Sequence, residues 1–427
     1  MVEMRKTILL AYGLLLLLGS LTEVQGLQIR TSINSYGTIN YLMPDLVVKR
    51  FSDSRFFKDE SAETVAKLFD MCQAKIWHRE VIVQVHEIRQ DFKALLYRNI
   101  RAIDNCSDEW QMALDNNWIL KDENGQLVYV MMYPTKYLVD IGNPQYQKWV
   151  ANWIKENQYG FDGVFADYSL NARASGHFYQ ASATPINPRT IEPWKDAEIR
   201  QALIEVHREV RNAIGSKLLV ANGIYDGRRF WRAYDEYLEL LSNSPIDGVM
   251  SEGLWYQYEG NWMSEEEWLN SLNFLVFVQD NFLEQKPERI FLPVCKLQKE
   301  TGDPVGDPYP LPPNCSKEQM ATYAFASTLL GIKTNQNYLS LLSDVNFAAQ
   351  VIQPLHDIDV GAPLNDRYLV NGTHVYARDF RNVKVLVNPT SNSYFINLQG
   401  IFKTLDGELV SEITIENHTG IILARVS

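Results

Sequence analysis

The chain has 427 residues, enough for one large domain with a smaller companion, and carries 40 Lys and Arg against 52 Asp and Glu. A net charge of -12 repels phosphate backbones and disfavours a nucleic-acid partner.

At the amino end Arg5 and Lys6 precede an apolar run over 8–18, followed by a small and polar stretch over 19–26. This is the three-part plan of a secretory signal, and a run of 11 residues is shorter than the roughly 18 expected of a membrane span. The sequence thus predicts a signal over 1–26, a mature chain from Leu27, no stable membrane span after cleavage, and a secreted or cell-surface location. In that compartment the four cysteines predict two disulfides, Cys72 with Cys106 and Cys295 with Cys315, each joining a strand end to a nearby loop. Sequons begin at Asn105, Asn314, Asn371 and Asn417.

From about residue 37 to 345 short apolar runs alternate with amphipathic stretches. Strands are predicted over 47–52, 71–77, 92–100, 161–168, 217–222, 246–252, 289–295 and 336–342, with helices over 61–69, 80–90, 145–157, 197–214, 230–241, 264–284 and 317–330. Ser264 with Glu267, and Ser316 with Gln319, have the spacing of capping boxes. Eight strands with crossover helices and no glycine-rich phosphate loop predict a closed (β/α)8 TIM barrel over 27–362, not an open doubly wound sheet. After Gly361-Ala362-Pro363 the pattern becomes period-two, as in Val383-Lys384-Val385-Leu386-Val387, and predicts a small antiparallel all-β domain over 363–427.

Catalytic side chains of such barrels project from the carboxyl ends of the strands. Two segments share one template: Phe161-Asp162-Gly163-Val164-Phe165-Ala166-Asp167 and Ile246-Asp247-Gly248-Val249-Met250-Ser251-Glu252. The early aspartates, Asp162 and Asp247, open the fourth and sixth strands and are read as structural acceptors of backbone hydrogen bonds. Asp167 and Glu252 close them, on matching faces, at the opposite mouth. Two carboxylates at one rim suit glycoside hydrolysis, which needs one protonated and one ionised group. The plainer alternative is that each carboxylate caps a helix or pairs with an arginine. Other strand ends supply sugar-binding residue types: Tyr97, Arg98 and Asn99 after the third strand, Asn222 after the fifth, and Tyr168, Trp255, Tyr256 and Tyr258 following the carboxylates, with core packing an equal alternative for each aromatic. Asp140 is read as capping the helix that follows it. No histidine accompanies either template and HxH and HExxH are absent, so neither a metal nor another cofactor is expected.

The segments Ala94-Leu95-Leu96-Tyr97-Arg98-Asn99, Tyr137-Leu138-Val139-Asp140-Ile141-Gly142-Asn143-Pro144 with Trp149 and Trp153, and the two templates resemble glycoside hydrolase-like family 15. At greater distance they are similar to the polygalactosaminidase-type glycosidases and the wider alpha-galactosidase superfamily. The resemblance implies an acidic nucleophile after the fourth strand and an acid/base after the sixth, here Asp167 and Glu252, acting on a carbohydrate with retention. A glutamate stands at the sixth strand where several relatives have aspartate. Glu252 would be kept protonated by a dry setting and by repulsion from Asp167. A noncatalytic carbohydrate-binding or cell-surface protein on the same scaffold is the competing reading, since fold does not fix function.

Overall fold

The computed structural model describes residues 45–53, 60–257, 260–297, 311–343 and 345–426. The signal segment and Tyr258 lie outside them. Eight parallel strands close into a barrel: β1 (Lys49–Asp53), β2 (Met71–Ala74), β3 (Lys93–Asn99), β4 (Gly163–Asp167), β5 (Leu218–Ile224), β6 (Gly248–Glu252), β7 (Ile290–Lys296) and β8 (Tyr338–Leu342). Each pairs with its neighbours in sequence order and β1 pairs with β8. These are the eight strands predicted from the apolar runs.

Period-two alternation sorts their side chains into two cores. Phe51, Met71, Leu95, Phe165, Val220, Met250, Leu292 and Tyr338 fill the barrel interior. Ala94, Leu96, Val164, Ala166, Leu219, Ala221, Val249 and Phe291 point outward under the helices. The glycine of each template has a steric cause. A Cβ on Gly163 would strike the Leu218 carbonyl of the next strand, and one on Gly248 would strike Ile290.

The outer ring comprises α1 (Ala62–Leu68), α2 (Arg79–Ile88), α3 (Pro144–Asn157), α4 (Asp196–Ile214), α5 (Tyr234–Asn243), α6 (Glu265–Val278) and α7 (Lys317–Gly331). Ser264 and Glu267 form the expected reciprocal box at α6. At α7 only half of the box forms. Ser316 accepts from the Gln319 amide at 3.1 Å, while the Gln319 side chain donates to the His418 carbonyl at 3.2 Å. The cap on α3 is Asn143, which accepts from the Gln145 and Tyr146 amides, with Pro144 at the first helical position. Asp140 therefore caps no helix. Buried, it binds the Arg189 guanidinium at 2.8 Å and accepts from the Gly142 amide at 3.1 Å.

The carboxyl-terminal strands are β9 (Tyr368–Leu369), β10 (Tyr376–Asp379), β11 (Val383–Asn388), β12 (Tyr394–Lys403), β13 (Leu409–Ile415) and β14 (Thr419–Arg425), ordered β9-β10-β11-β14-β12-β13 in one antiparallel sheet. This sheet packs on α7. The buried Arg378 guanidinium donates to the Leu329 and Ile332 carbonyls at 3.0 and 2.6 Å, closing the open end of that helix. Gly420 lies so close to Thr322 and Ala326 that a Cβ there would displace them.

Neither of the two expected disulfides, Cys72 with Cys106 and Cys295 with Cys315, is formed. Cys72 is buried near the amino end of β2, whereas Cys106 is exposed in the excursion beyond the carboxyl end of β3. Cys295 and Cys315 are near enough to interact electrostatically as thiols, and burial raises the proton affinity of both.

Candidate active site

The carboxyl ends of β3 to β7 bring the two proposed carboxylates together. Asp167 ends β4 buried, and each of its oxygens accepts strong donors. Tyr97 Oη donates to Oδ2 at 2.6 Å, and Asn222 Nδ2 and the Tyr168 amide donate to Oδ1 at 2.8 and 2.9 Å. Glu252 ends β6 with its side chain 30% exposed. The same Asn222 nitrogen donates to Glu252 Oε1 at 2.8 Å. The two carboxylate oxygens that share it are thus no more than about 5.6 Å apart, twice that bond length.

Asn222 holds this position because β5 bulges just beyond it. The register with β6 shifts between Asn222 and Ile224, and Gly223 takes a φ of 115° that a side chain would oppose. The Asn222 carbonyl accepts from the Ser169 and Leu170 amides at 2.8 and 2.9 Å, tying the loop after Asp167 to the same strand.

Among the sequence-chosen residues, Tyr97 points inward and reaches Asp167 directly. Asn99 pairs in register with Asp167, but its Oδ1 accepts from the Arg101 and Ala102 amides at 2.9 and 3.1 Å, so it shapes the loop after β3. Tyr168 follows Asp167 with a φ of 55°, its ring covered by Arg101 at 3.6 Å, and burial pushes its phenol up to about 12. Arg98 points outward, where it pairs with both oxygens of Glu109 and lies over Trp149 and Trp153.

Trp255 and Tyr256 do not line the site. The Gly253 and Leu254 amides both bond the Val294 carbonyl, and Trp255 follows with a φ of 83°, a conformation costly for a bulky residue. That turn carries both rings into the core. Trp255 packs on Trp268, and Tyr256 donates to the Lys296 carbonyl at 2.7 Å.

Three cations escaped the sequence reading. Lys296 ends β7 and its ammonium lies 3.0 Å from Glu252 Oε2. Lys75, just past β2, sits 3.0 Å from the centre of the Tyr97 ring. Arg101, almost wholly buried, donates to the His177 carbonyl at 2.8 Å behind Tyr168. The early aspartates stay at the other mouth. Asp162 accepts from the Ala94 amide at 2.8 Å and meets His86 at 3.0 Å, and Asp247 accepts from the Leu219 amide at 3.0 Å and pairs with Arg211.

Among solved structures, the chain is similar in fold to an α-amylase from Lactobacillus plantarum (TM-score 0.53, 11% identity, 88% of this chain and 99% of that one covered). It is similar also to Eubacterium rectale Amy13B (TM-score 0.51, 10% identity, 91% and 98% covered). No curated protein matches the chain. The model of the hypothetical glycosyl hydrolase family 15 matches residues 86–384, a span well over half the chain that includes Asp167 and Glu252. The chain belongs to the hypothetical glycosyl hydrolase family 15, and its reaction class is that of a glycosidase.

Proposed function

We propose that this protein is an extracellular retaining glycoside hydrolase of an oligo- or polysaccharide, with Asp167 as nucleophile and Glu252 as acid/base. The observation that carries the reading is the single Asn222 amide bonded to both carboxylates. Direct attack requires carboxyl groups about 5 Å apart, whereas a water-mediated displacement needs roughly 6.5–9.5 Å. A shared donor keeps the nearest oxygens of the pair within about 5.6 Å, which supports the shorter separation.

The chemistry runs in two steps. Protonated Glu252 gives its proton to the leaving oxygen as an Asp167 oxygen bonds the anomeric carbon and the glycosidic bond breaks. Ionised Glu252 then takes a proton from water, which attacks the same carbon and releases Asp167. Tyr97, Asn222 and the Tyr168 amide aim donors at Asp167, which fits a group that must begin as an oriented anion. Glu252 is neither dry nor flanked by negative charge alone. Its two oxygens meet an amide and an ammonium. Both favour the carboxylate, so repulsion from Asp167 is opposed by Lys296.

Export rests on the amino-terminal pattern and on the exposure of Asn105, Asn314, Asn371 and Asn417, the asparagines of all four sequons; the cysteines, which form neither expected disulfide, lend it nothing. Among the described residues no helix is long and apolar enough to cross a membrane. The test is release of reducing ends from a panel of polysaccharides and amino-sugar polymers by the wild type and by Asp167→Asn. Turnover of one glycan that the variant abolishes supports the reading, and equal turnover by both overturns it.

A further inference from the structure

Lys296 stands in the inward row of β7, following Leu292 and Val294, which face the barrel interior. Its side chain is only 8% exposed, and its ammonium lies 3.0 Å from Glu252 Oε2. The two residues are held by bonds that run from the segment following β6 to the carbonyls of β7. Tyr256, beyond Glu252, donates to the Lys296 carbonyl at 2.7 Å, and the Gly253 and Leu254 amides each bond the Val294 carbonyl at 3.0 Å. Exposed ion pairs contribute little because long side chains must be immobilised in water. Here the backbone on either side is already fixed and the lysine is buried.

Among the described residues, charged and titratable groups face Glu252 from both neighbouring sides of the barrel mouth. Lys296 faces it from β7, and Asp167 and Tyr168 face it from β4; β5 contributes the uncharged Asn222. Arg101 lies against the Tyr168 ring. Asp167 favours the protonated form of Glu252 and Lys296 favours the ionised form.

We propose that Lys296 is the positioning residue that sets the proton affinity of Glu252 and, through it, the alkaline limit of the pH–rate profile. This rests on the acid/base reading given above. The pairing also serves the order of the reaction. While Asp167 is ionised its charge helps Glu252 keep the proton that the first step consumes. When the glycosyl–Asp167 ester forms, that negative charge is gone and the ammonium remains. Glu252 is then left ionised, the form that accepts a proton from the attacking water in the second step.

The test needs a readout that does not depend on turnover. Protein carrying carboxyl-13C glutamate is titrated by NMR, with Glu252 assigned by the signal missing in E252Q. The same preparations are assayed for kcat/KM against pH on whichever glycan of the panel is hydrolysed. K296M and K296Q should each raise the Glu252 titration by about one unit or more, as expected on loss of an adjacent opposite charge, and carry the alkaline limb of the profile with it. K296R should restore both to the wild-type values. An unchanged Glu252 titration in the folded uncharged variants overturns the proposal whatever happens to activity. Wild-type turnover by Asp167→Asn instead overturns the catalytic reading, and leaves the Glu252 titration to judge the charge relation separately.

Discussion

Asp167 and Glu252, which end strands two apart in the barrel, are bonded to one and the same nitrogen, Nδ2 of Asn222. Asn222→Ala removes the donor that orients both. The expected loss in kcat is about 10²-fold, the scale for deleting one preorganised donor at a reacting centre. Stability should fall by only about 1 kcal/mol, the net value of an ordinary hydrogen bond. Steady-state kinetics with urea unfolding checks this, and full turnover in a strongly destabilised variant would contradict it.

The early aspartates should behave in the opposite way. Burial raises the proton affinity of Asp162, but His86 and the Ala94 amide more than offset it and leave the carboxyl below its ordinary range. Its stabilisation is therefore present above the unfolded aspartate value of about 3.9 and lost as pH falls through the lower folded value. Asp162→Asn and Asp247→Asn should each cost about 1–3 kcal/mol by removing the charge that strengthens the bonds from the strand-opening amides and from His86 and Arg211. Turnover per folded molecule should stay at the wild-type level, as measured by activity normalised to the folded fraction.

Two buried histidines predict a further loss of stability toward acid. Burial pushes His177 and His207 down to about 3. Between that value and the unfolded value of about 6.5 the unfolded chain binds protons that the folded one does not, so stability falls as pH drops. From pH 7 to 5 each should cost about 2 kcal/mol. Replacing His207, which bonds Ser244 at 3.0 Å, with Gln should flatten that slope in urea unfolding, even if the variant is less stable at pH 7.

Thiol reactivity follows burial. Exposed Cys106 should be alkylated in the native protein at neutral pH. Cys72 and Cys295 should require unfolding, and Cys315, pushed by burial up to about 11, should react slowly. Peptide mass spectrometry after iodoacetamide resolves the four sites, and uniform resistance in the native state would indicate disulfides after all.

The barrel was legible because each strand is a short apolar run, and because the two templates repeat the same demands: an acceptor at the strand entry, a glycine where neighbouring strands close in, a carboxylate at the exit. The inward rows carry more than was taken from them. Continuing Leu292 and Val294 by two residues reaches Lys296, and continuing Met71 and Gln73 reaches Lys75. The predicted strand 289–295 stopped one residue short because a lysine ends an apolar run without announcing a partner. Trp255 and Tyr256 misled for another reason. Their adjacency to Glu252 says nothing of the left-handed turn that drives both rings into the core, and a tryptophan carries no sequence mark of that conformation. Asp140 looked like a cap because it precedes a helix; Asn143, directly before Pro144, does the capping. The Cys72–Cys106 pairing fails because one thiol lies near the amino end of its strand and the other beyond the carboxyl end of the next, which an apolar run does not reveal.

The most direct measurement of the central claim is covalent trapping. The wild type is incubated with the 2-deoxy-2-fluoro glycosyl fluoride of the sugar that the panel identifies, digested, and the labelled peptide sequenced by mass spectrometry. Double displacement with Asp167 as nucleophile predicts stoichiometric inactivation with the glycosyl group on Asp167, and no labelling of Asp167→Asn. A label on Glu252 or elsewhere, or continued hydrolysis with inversion and no label, would contradict it.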